Sequence, residues 1–295
     1  MEIRPFVRGD APGLVALSAD CARGEGDFVL NPLWETEEEL FAEFGRFAID
    51  PAEHVLVADA GDGELVGLAG FLRQPRASAA GMFCPIVKRG ERGRGLGGEL
   101  LRAALAHGAG ELGIKLVSAG VGTRNRAGYS LLSSHGFRPA RQHFLMRCVE
   151  QPEVTGAPLA DLELRKAGSD DAEAILEIYA ACGFEERSTE AMRSYLEDGR
   201  HSHAVALCNG RIAAFAEIET HWPRRPWVAY VGVNADLRDR GVGSTLVAWA
   251  LEREFEGGAA SALLMLSPAN RTALRAYEKV GFRRHRLVDV LEKGL

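Results

Sequence analysis

The stretch Arg238-Asp239-Arg240-Gly241-Val242-Gly243 decides the fold. Before it, Val228 to Val233 has the β-branched, apolar character of a strand. After it, Val242, Leu246 and Ala250 recur at helical spacing. A strand, a Gly-rich loop and a helix N-terminus in that order gather several backbone N–H groups at one point. Glycine allows close approach to them, and the helix dipole adds roughly half a positive charge. A diphosphate is the natural guest, and Arg238 and Arg240 can add charge-assisted bonds to it.

The same plan occurs earlier in the chain. Arg92-Gly93-Arg94-Gly95-Leu96-Gly97 precedes Leu100 and Ala104, again at helical spacing. Asn125 follows Arg92 by 33 residues and Asn270 follows Arg238 by 32; Gly136-Phe137 and Gly281-Phe282 each follow their Asn by 11. The starts repeat too. Ile3-Arg4-Pro5 leads to Asp10-Ala11, and Leu164-Arg165-Lys166 leads to Asp171-Ala172, each reading as a short strand and an Asp able to cap an apolar helix. The offset shrinks along the chain, so the first copy carries roughly 15 extra residues, most simply between Phe28 and Phe44 around Trp34. Gln151 to Ala160 holds Pro152, Gly156 and Pro158 with no periodic pattern and reads as a linker. The expected organisation is thus residues 1–150, a linker at 151–160, and residues 161–295. Further strands are expected at His54–Ala58, Leu65–Leu72, Met82–Val87, Ala204–Leu207 and Ile212–Ile218, giving two α/β domains.

Composition narrows the function classes. Lys and Arg number 17 against 19 Asp and Glu in residues 1–150, and 18 against 22 in the remainder, so neither half has the basic excess that nucleic acid requires. No apolar run is long enough for a bilayer span and the first residues are charged, so neither membrane nor secretion is expected. The five cysteines are scattered without a C-x-x-C pair, which suggests reduced thiols, a cytoplasmic location, no disulfide framework and no metal site. Nothing in the pattern sets an oligomeric state. Gly93-x-Gly95-x-x-Gly98 also fits a dinucleotide fingerprint, but it lies deep in its domain, Leu116 to Ala119 offers no acid, and Leu246 stands at the third glycine of the second copy.

Taken together, the strand ending in Val, the Arg-x-x-Gly-x-Gly loop and Asn-x-x-Ala-x-x-x-Tyr-x-x-x-Gly-Phe resemble the GNAT acetyltransferase superfamily. The second copy supplies Arg238, Gly241, Gly243, Asn270, Ala273, Tyr277, Gly281 and Phe282. The resemblance implies tandem domains, each with a mixed, mostly antiparallel sheet flanked by helices and a splayed parallel strand pair at the acyl-CoA site. It implies acetyl-CoA as donor, with a diphosphate on the loop and pantetheine along the preceding strand. Cofactor contacts would come from Val231, Val233, Arg238, Asp239, Arg240, Gly241, Val242, Gly243, Ser244 and Asn270. In the first copy they would come from Val87, Arg92, Gly93, Arg94, Gly95, Leu96, Gly97, Gly98 and Asn125. The implied acceptor is a small-molecule or peptide amine, with Tyr277 protonating the departing thiolate. Among tandem members, the mycothiol synthases are distantly similar, although their acid at the start of the strand falls here on Trp227.

The first copy departs from this pattern. Leu132 stands in place of Tyr277, Tyr129 lies about 5 Å away along the helix, and Pro85, which has no N–H, matches Val231. These changes point to a catalytically reduced first domain and to chemistry in the second. Tyr277 also fits ordinary packing with Ala273, Leu274 and Val280, and Asn270 fits a helix N-cap. For a base, Glu217 and Glu219 alternate onto one strand face with Phe215; a solvated strand face is the equal alternative, and His221 is a third candidate. The segment from His221 to Trp227 suits an acceptor pocket or a rigid hairpin. A CoA-binding sensor or interaction module without chemistry is the alternative on the same fold.

Overall fold

A computed structural model describes every residue except 48, 62, 73–76, 153–158, 160, 185 and 223. It divides into two compact units, Met1–His143 with Arg286–Leu295, and Phe144–His285. The expected linker falls largely outside the described residues. No helix among the described residues is long and apolar enough to cross a membrane.

In chain order the first unit runs β1 (Glu2–Pro5), α1 (Ala11–Cys21), α2 (Glu37–Arg46), α3 (Pro51–His54), β2 (Val55–Asp59), β3 (Leu65–Leu72), β4 (Ala79–Val87), α4 (Leu96–Gly110), β5 (Leu116–Gly122) and α5 (Arg126–Ser134). Strand β6 (Arg138–Cys148) passes into the second unit. That unit continues with β7 (Leu162–Lys166), α6 (Ala172–Ala181), α7 (Thr189–Glu197), β8 (His201–Cys208), β9 (Arg211–Glu219), β10 (Trp227–Val233), α8 (Val242–Glu256), β11 (Ala262–Leu266) and α9 (Arg271–Val280), and β12 (Arg283–Gly294) returns the chain to the first unit. The expected strands all form, most with longer ends.

Each sheet is mostly antiparallel with one short parallel contact. In the first unit β1-β2-β3-β4 is antiparallel, and β4 runs parallel to β5 only at Ala79↔Leu116, Ala80↔Val117 and Gly81↔Ser118. In the second, β7-β8-β9-β10 is antiparallel and β10 meets β11 in parallel only at Trp227↔Leu263. Beyond these contacts both parallel pairs splay. The closing strands are exchanged relative to the sequence repeat. Strand β12 of the second copy pairs with β5 at Val288↔Gly122 through Gly294↔Leu116, while Phe144–Cys148 of the first copy pairs with β11.

Cores follow from the periodicity. In the second unit Leu246, Val247 and Leu251 of α8 pack on Ala214, Ala216 and Leu264, while Ile175, Tyr179 and Met192 cover the opposite face at Val205 and Phe215. Each fully buried side chain of this size contributes roughly 1.5–3 kcal/mol. In the first unit α4 covers β3 and β4 through Leu100, Leu101 and Ala104, all buried.

The two entry aspartates are repeated for a reason other than the expected helix cap. Asp10 makes no cap bond to α1, nor Asp171 to α6. Instead Asp10 takes a two-pronged bond from Arg4 (2.8 and 2.9 Å) and the Val7 N–H (2.8 Å). Asp171 does the same with Arg165 (2.7 and 2.8 Å) and the Gly168 N–H (2.8 Å). Each clamp ties a first strand to its first helix.

The extra residues of the first copy lie mainly between α1 and α2, with a smaller share at α3. Trp34 is fully buried there. Its indole donates to Glu43 of α2 and its ring lies 5.0 Å from Phe83 of β4.

Candidate active site

The splay of β10 from β11 opens a cleft of about 550 Å³ in the second unit. Of the residues expected to hold a cofactor there, Val231, Val233, Arg238, Asp239, Gly241, Val242, Gly243, Ser244 and Asn270 all line it; Arg240 does not. Tyr277 of α9 lines it as well. The loop geometry is set by two left-handed residues, Asp239 (φ 59°) and Gly241 (φ 84°), the latter at the N-cap of α8. The position of Gly243 has no spare room, since a Cβ there would come within 3.1 Å of Val233 Cγ2. Arg238 folds back so that its Nε donates to the Val233 carbonyl (3.1 Å), anchoring the loop to the strand end. The cleft lining carries three cations, Arg238, Arg275 and Lys279, against one anion, Asp239.

Asn270 caps α9 by accepting the Ala273 N–H (3.1 Å). Tyr277 stacks edge-on to Phe282 at 5.7 Å, so the packing role also holds. Burial pushes its phenol well above the ordinary tyrosine range. It is protonated at neutral pH and can donate a hydrogen bond toward the cleft, although complete proton loss is opposed by the same burial. Cys182 and Phe184, at and just beyond the end of α6, line the cleft too and carried no motif.

Glu217 and Glu219 stand outside this lining. The solvated strand face is not what forms, for both are buried beneath α6 and α7, Glu217 at 1% exposure. Strand register sets His203 opposite Glu217 and His201 opposite Glu219, with Tyr230 of β10 opposite Glu217 on the other side. Arg187 Nη1 donates to Glu217 Oε2 (3.0 Å), and its guanidinium lies over the rings of Tyr179, Tyr195 and Tyr230 at 5.0, 4.5 and 5.3 Å. Burial pushes the Glu217 carboxyl up, but His203 and Arg187 outweigh it and hold it below the usual range. Glu217 is therefore a carboxylate at neutral pH. His201, Glu217 and Glu219 offer ligand atoms within 4.8 Å of one another, yet the positive charge beside them is already supplied by Arg187. His221, Trp222 and Arg225 are buried in their own hairpin, Arg225 over the Trp222 ring at 4.9 Å; Pro223 lies outside the described residues. The alternation His-x-His facing Glu-x-Glu was the available signal for this cluster; Arg187 and the three tyrosines gave none.

In the first unit the matching cleft is smaller, about 210 Å³, and is lined by Val87, Arg92, Gly93, Gly97 and Asn125 but not by Arg94, Gly95, Leu96 or Gly98. One cation, Arg92, faces two anions, Asp27 and Glu91. Arg92 is committed to Asp27 (3.3 Å), the Cys21 carbonyl (2.7 Å) and the Val87 carbonyl (2.9 Å). Leu132 is buried where Tyr277 stands in the second copy.

The model of the acetyltransferase (GNAT) family matches residues 23–137 and 172–282, most of the chain. Among solved structures, a GCN5-related N-acetyltransferase from Sphaerobacter thermophilus superposes with a TM-score of 0.81 at 22% identity, covering 99% of this chain and 95% of that one. A tandem GNAT protein from the clavulanic acid biosynthesis pathway, solved without AcCoA, superposes at 0.72 and 17% identity, covering 99% and 98%. At these identities the likeness is one of fold. No curated protein sequence matches the chain.

Proposed function

We propose that this chain, which belongs to the acetyltransferase (GNAT) family, transfers an acetyl group from acetyl-CoA to a primary amine, with the chemistry in the second unit. The observation that carries the reading is the β10/β11 cleft, where the glycine loop, a cationic lining and Tyr277 converge. When bound there, acetyl-CoA supplies an activated thioester. The N–H groups from Gly241 to Ser244 and the side chain of Arg238 would hold its diphosphate, and the free edge of Val231 and Val233 its pantetheine. Tyr277 would donate its phenolic O–H to the departing sulfur as the C–S bond breaks and negative charge develops there, help typically worth about 10² to 10⁴ in rate.

The acceptor would approach on the face of β10 opposite α8, past Tyr230. Glu217 and Glu219 both pair in register with that strand, Glu217 opposite Tyr230 and Glu219 opposite Trp227; we assign Glu217 the relay of the amine proton, with Glu219 behind it. The lowered basicity of Glu217 makes it a weak base while Arg187 is paired to it, so the pair must loosen when an amine enters. The acceptor class we assign is a small-molecule or peptide amine, and the location the cytoplasm. The test is an amine panel assayed by thiol release from acetyl-CoA, beside calorimetry with CoA. Binding without turnover on any amine would turn the reading into that of a sensor module; no binding would end it.

A further inference from the structure

Both copies splay a parallel strand pair, and a splayed pair leaves backbone N–H and C=O groups that need partners. In the second unit no bridge among the described residues crosses the gap between β10 and β11. In the first unit the gap is crossed. Val29 forms an antiparallel bridge with Val121 of β5. Around it, the Leu30 N–H donates to the Gly120 carbonyl (2.9 Å) and the Gly122 N–H to the Phe28 carbonyl (2.9 Å). On the other side, the Cys84 N–H of β4 donates to the Asn31 carbonyl (3.2 Å). The segment Phe28–Asn31 is thus hydrogen-bonded to both splayed strands, one bond on β4 and two on β5.

Side chains fix it there. The Asn125 amide, counterpart of Asn270, donates to the Phe28 carbonyl (3.1 Å). Arg286 lies over the Phe28 ring at 5.5 Å. Glycines on β5 make the room, since a Cβ on Gly120 would sit 2.6 Å from Leu30 Cβ and one on Gly122 would sit 3.2 Å from Phe28 Cβ. One residue before the segment, Asp27 sets a carboxylate against Arg89 (3.0 Å) and Arg92 (3.3 Å), the arginines beside the first glycine loop. A phosphate would have to compete with that carboxylate for both.

We propose that residues 27–31 are a built-in occupant of the first copy's cofactor slot, a carboxylate at the phosphate end and a strand in the gap. The first unit then takes no acyl-CoA, and each chain holds one. This rests on the reading that the matching cleft of the second unit is a CoA site, and the closing experiment separates the two.

The full chain is studied by native mass spectrometry and by amide hydrogen exchange, with and without CoA. The expected result is one CoA per chain. In the free chain the Leu30, Cys84 and Gly122 amides exchange on the order of a hundredfold or more slower than unstructured chain, and CoA leaves them unchanged. The amides of Gly241 to Ser244 gain protection on binding. Two CoA per chain, or one whose protection maps to Cys84–Val87 and Gly122, overturns the proposal. So does exchange of those three amides at loop rates in the free chain. If no CoA binds, the CoA reading of the second unit fails, and slow exchange at Leu30, Cys84 and Gly122 still upholds the occupied gap.

Discussion

Replacing Arg238 with Ala, beside Arg92→Ala as its internal counterpart, separates the two loops quantitatively. The two arginines hold equivalent positions and each sends Nε to the last carbonyl of its strand, at 3.1 Å in the second copy and 2.9 Å in the first. They differ in what the other guanidinium nitrogens do. Arg92 meets Asp27 and the Cys21 carbonyl, whereas among the described residues Arg238 meets only the soft Cys182 Sγ at 3.7 Å. A charge-assisted bond to phosphate contributes about 1.5–3 kcal/mol, and the exposure of Arg238 argues for the low end. At about 1.4 kcal/mol per decade, Arg238→Ala is expected to weaken CoA binding about tenfold, with the loss shrinking as salt rises. Arg92→Ala should leave CoA affinity unchanged and lower stability by about 1–2 kcal/mol, because it removes bonds that hold the chain around Asp27. Isothermal titration with CoA at two salt concentrations, with urea melts of both variants, measures all four quantities. Equal affinity losses from the two substitutions, or a loss from Arg92→Ala alone, would refute the reasoning.

Three further outcomes follow from individual residues. Tyr277→Phe keeps the ring stacked on Phe282 and is expected to reduce turnover about 10²- to 10⁴-fold while CoA affinity stays within about twofold; unchanged turnover in the thiol-release assay removes Tyr277 from the acid role. Asp171→Asn breaks the Arg165 clamp and should cost about 1–2 kcal/mol, discounted for the partly exposed arginine. The bonds from Arg165 are the main reason the Asp171 carboxyl is held below its ordinary value, outweighing desolvation. Its contribution is therefore fully present above the ordinary aspartate pKa and is lost as pH falls through the lower folded one, so the variant's stability deficit should vanish in acid melts. Asp239→Gly relieves a left-handed aspartate where the first copy has Gly93 (φ 77°), and removes the one anion of the cleft; a stability gain of about 0.5 kcal/mol and tighter CoA binding are expected from melts and titration.

What could be read from sequence was what local pattern encodes. The Gly93/Gly95 and Asp239/Gly241 loops, the 3.6-residue stripe of Leu96-Leu100-Ala104 and the spacing to Asn125 and Asn270 each depend on a few neighbouring residues, and all formed as expected. The exchange of β6 and β12 was not legible, because both are alternating strands after a Gly-Phe pair and either pattern could close either sheet. Which edge each joins is decided by packing over long sequence separation. The burial of Glu217 was equally hidden. Period-2 alternation says that Phe215, Glu217 and Glu219 share a face, but only the helices laid over that face, with Arg187 brought from the turn between them, make it an interior one.

The extra segment of the first copy joins these points. Its length was visible, but a strand that pairs through its backbone leaves little trace in its own side chains; the trace lies in its partners, as Gly120 and Gly122 on the strand it covers. Duplication gives each unit the same unfilled edge, and buried edge groups must find partners. A unit that satisfies them with its own chain no longer needs a ligand to complete its sheet, and the constraints on the residues that would handle that ligand lapse together. On the proposal that residues 27–31 fill the first slot, Pro85 in place of Val231, Leu132 in place of Tyr277 and an aspartate set against Arg92 would share one cause rather than three. In the second unit the edge of Val231 and Val233 stays open beside an intact loop and Tyr277, so its residues remain tied to what enters.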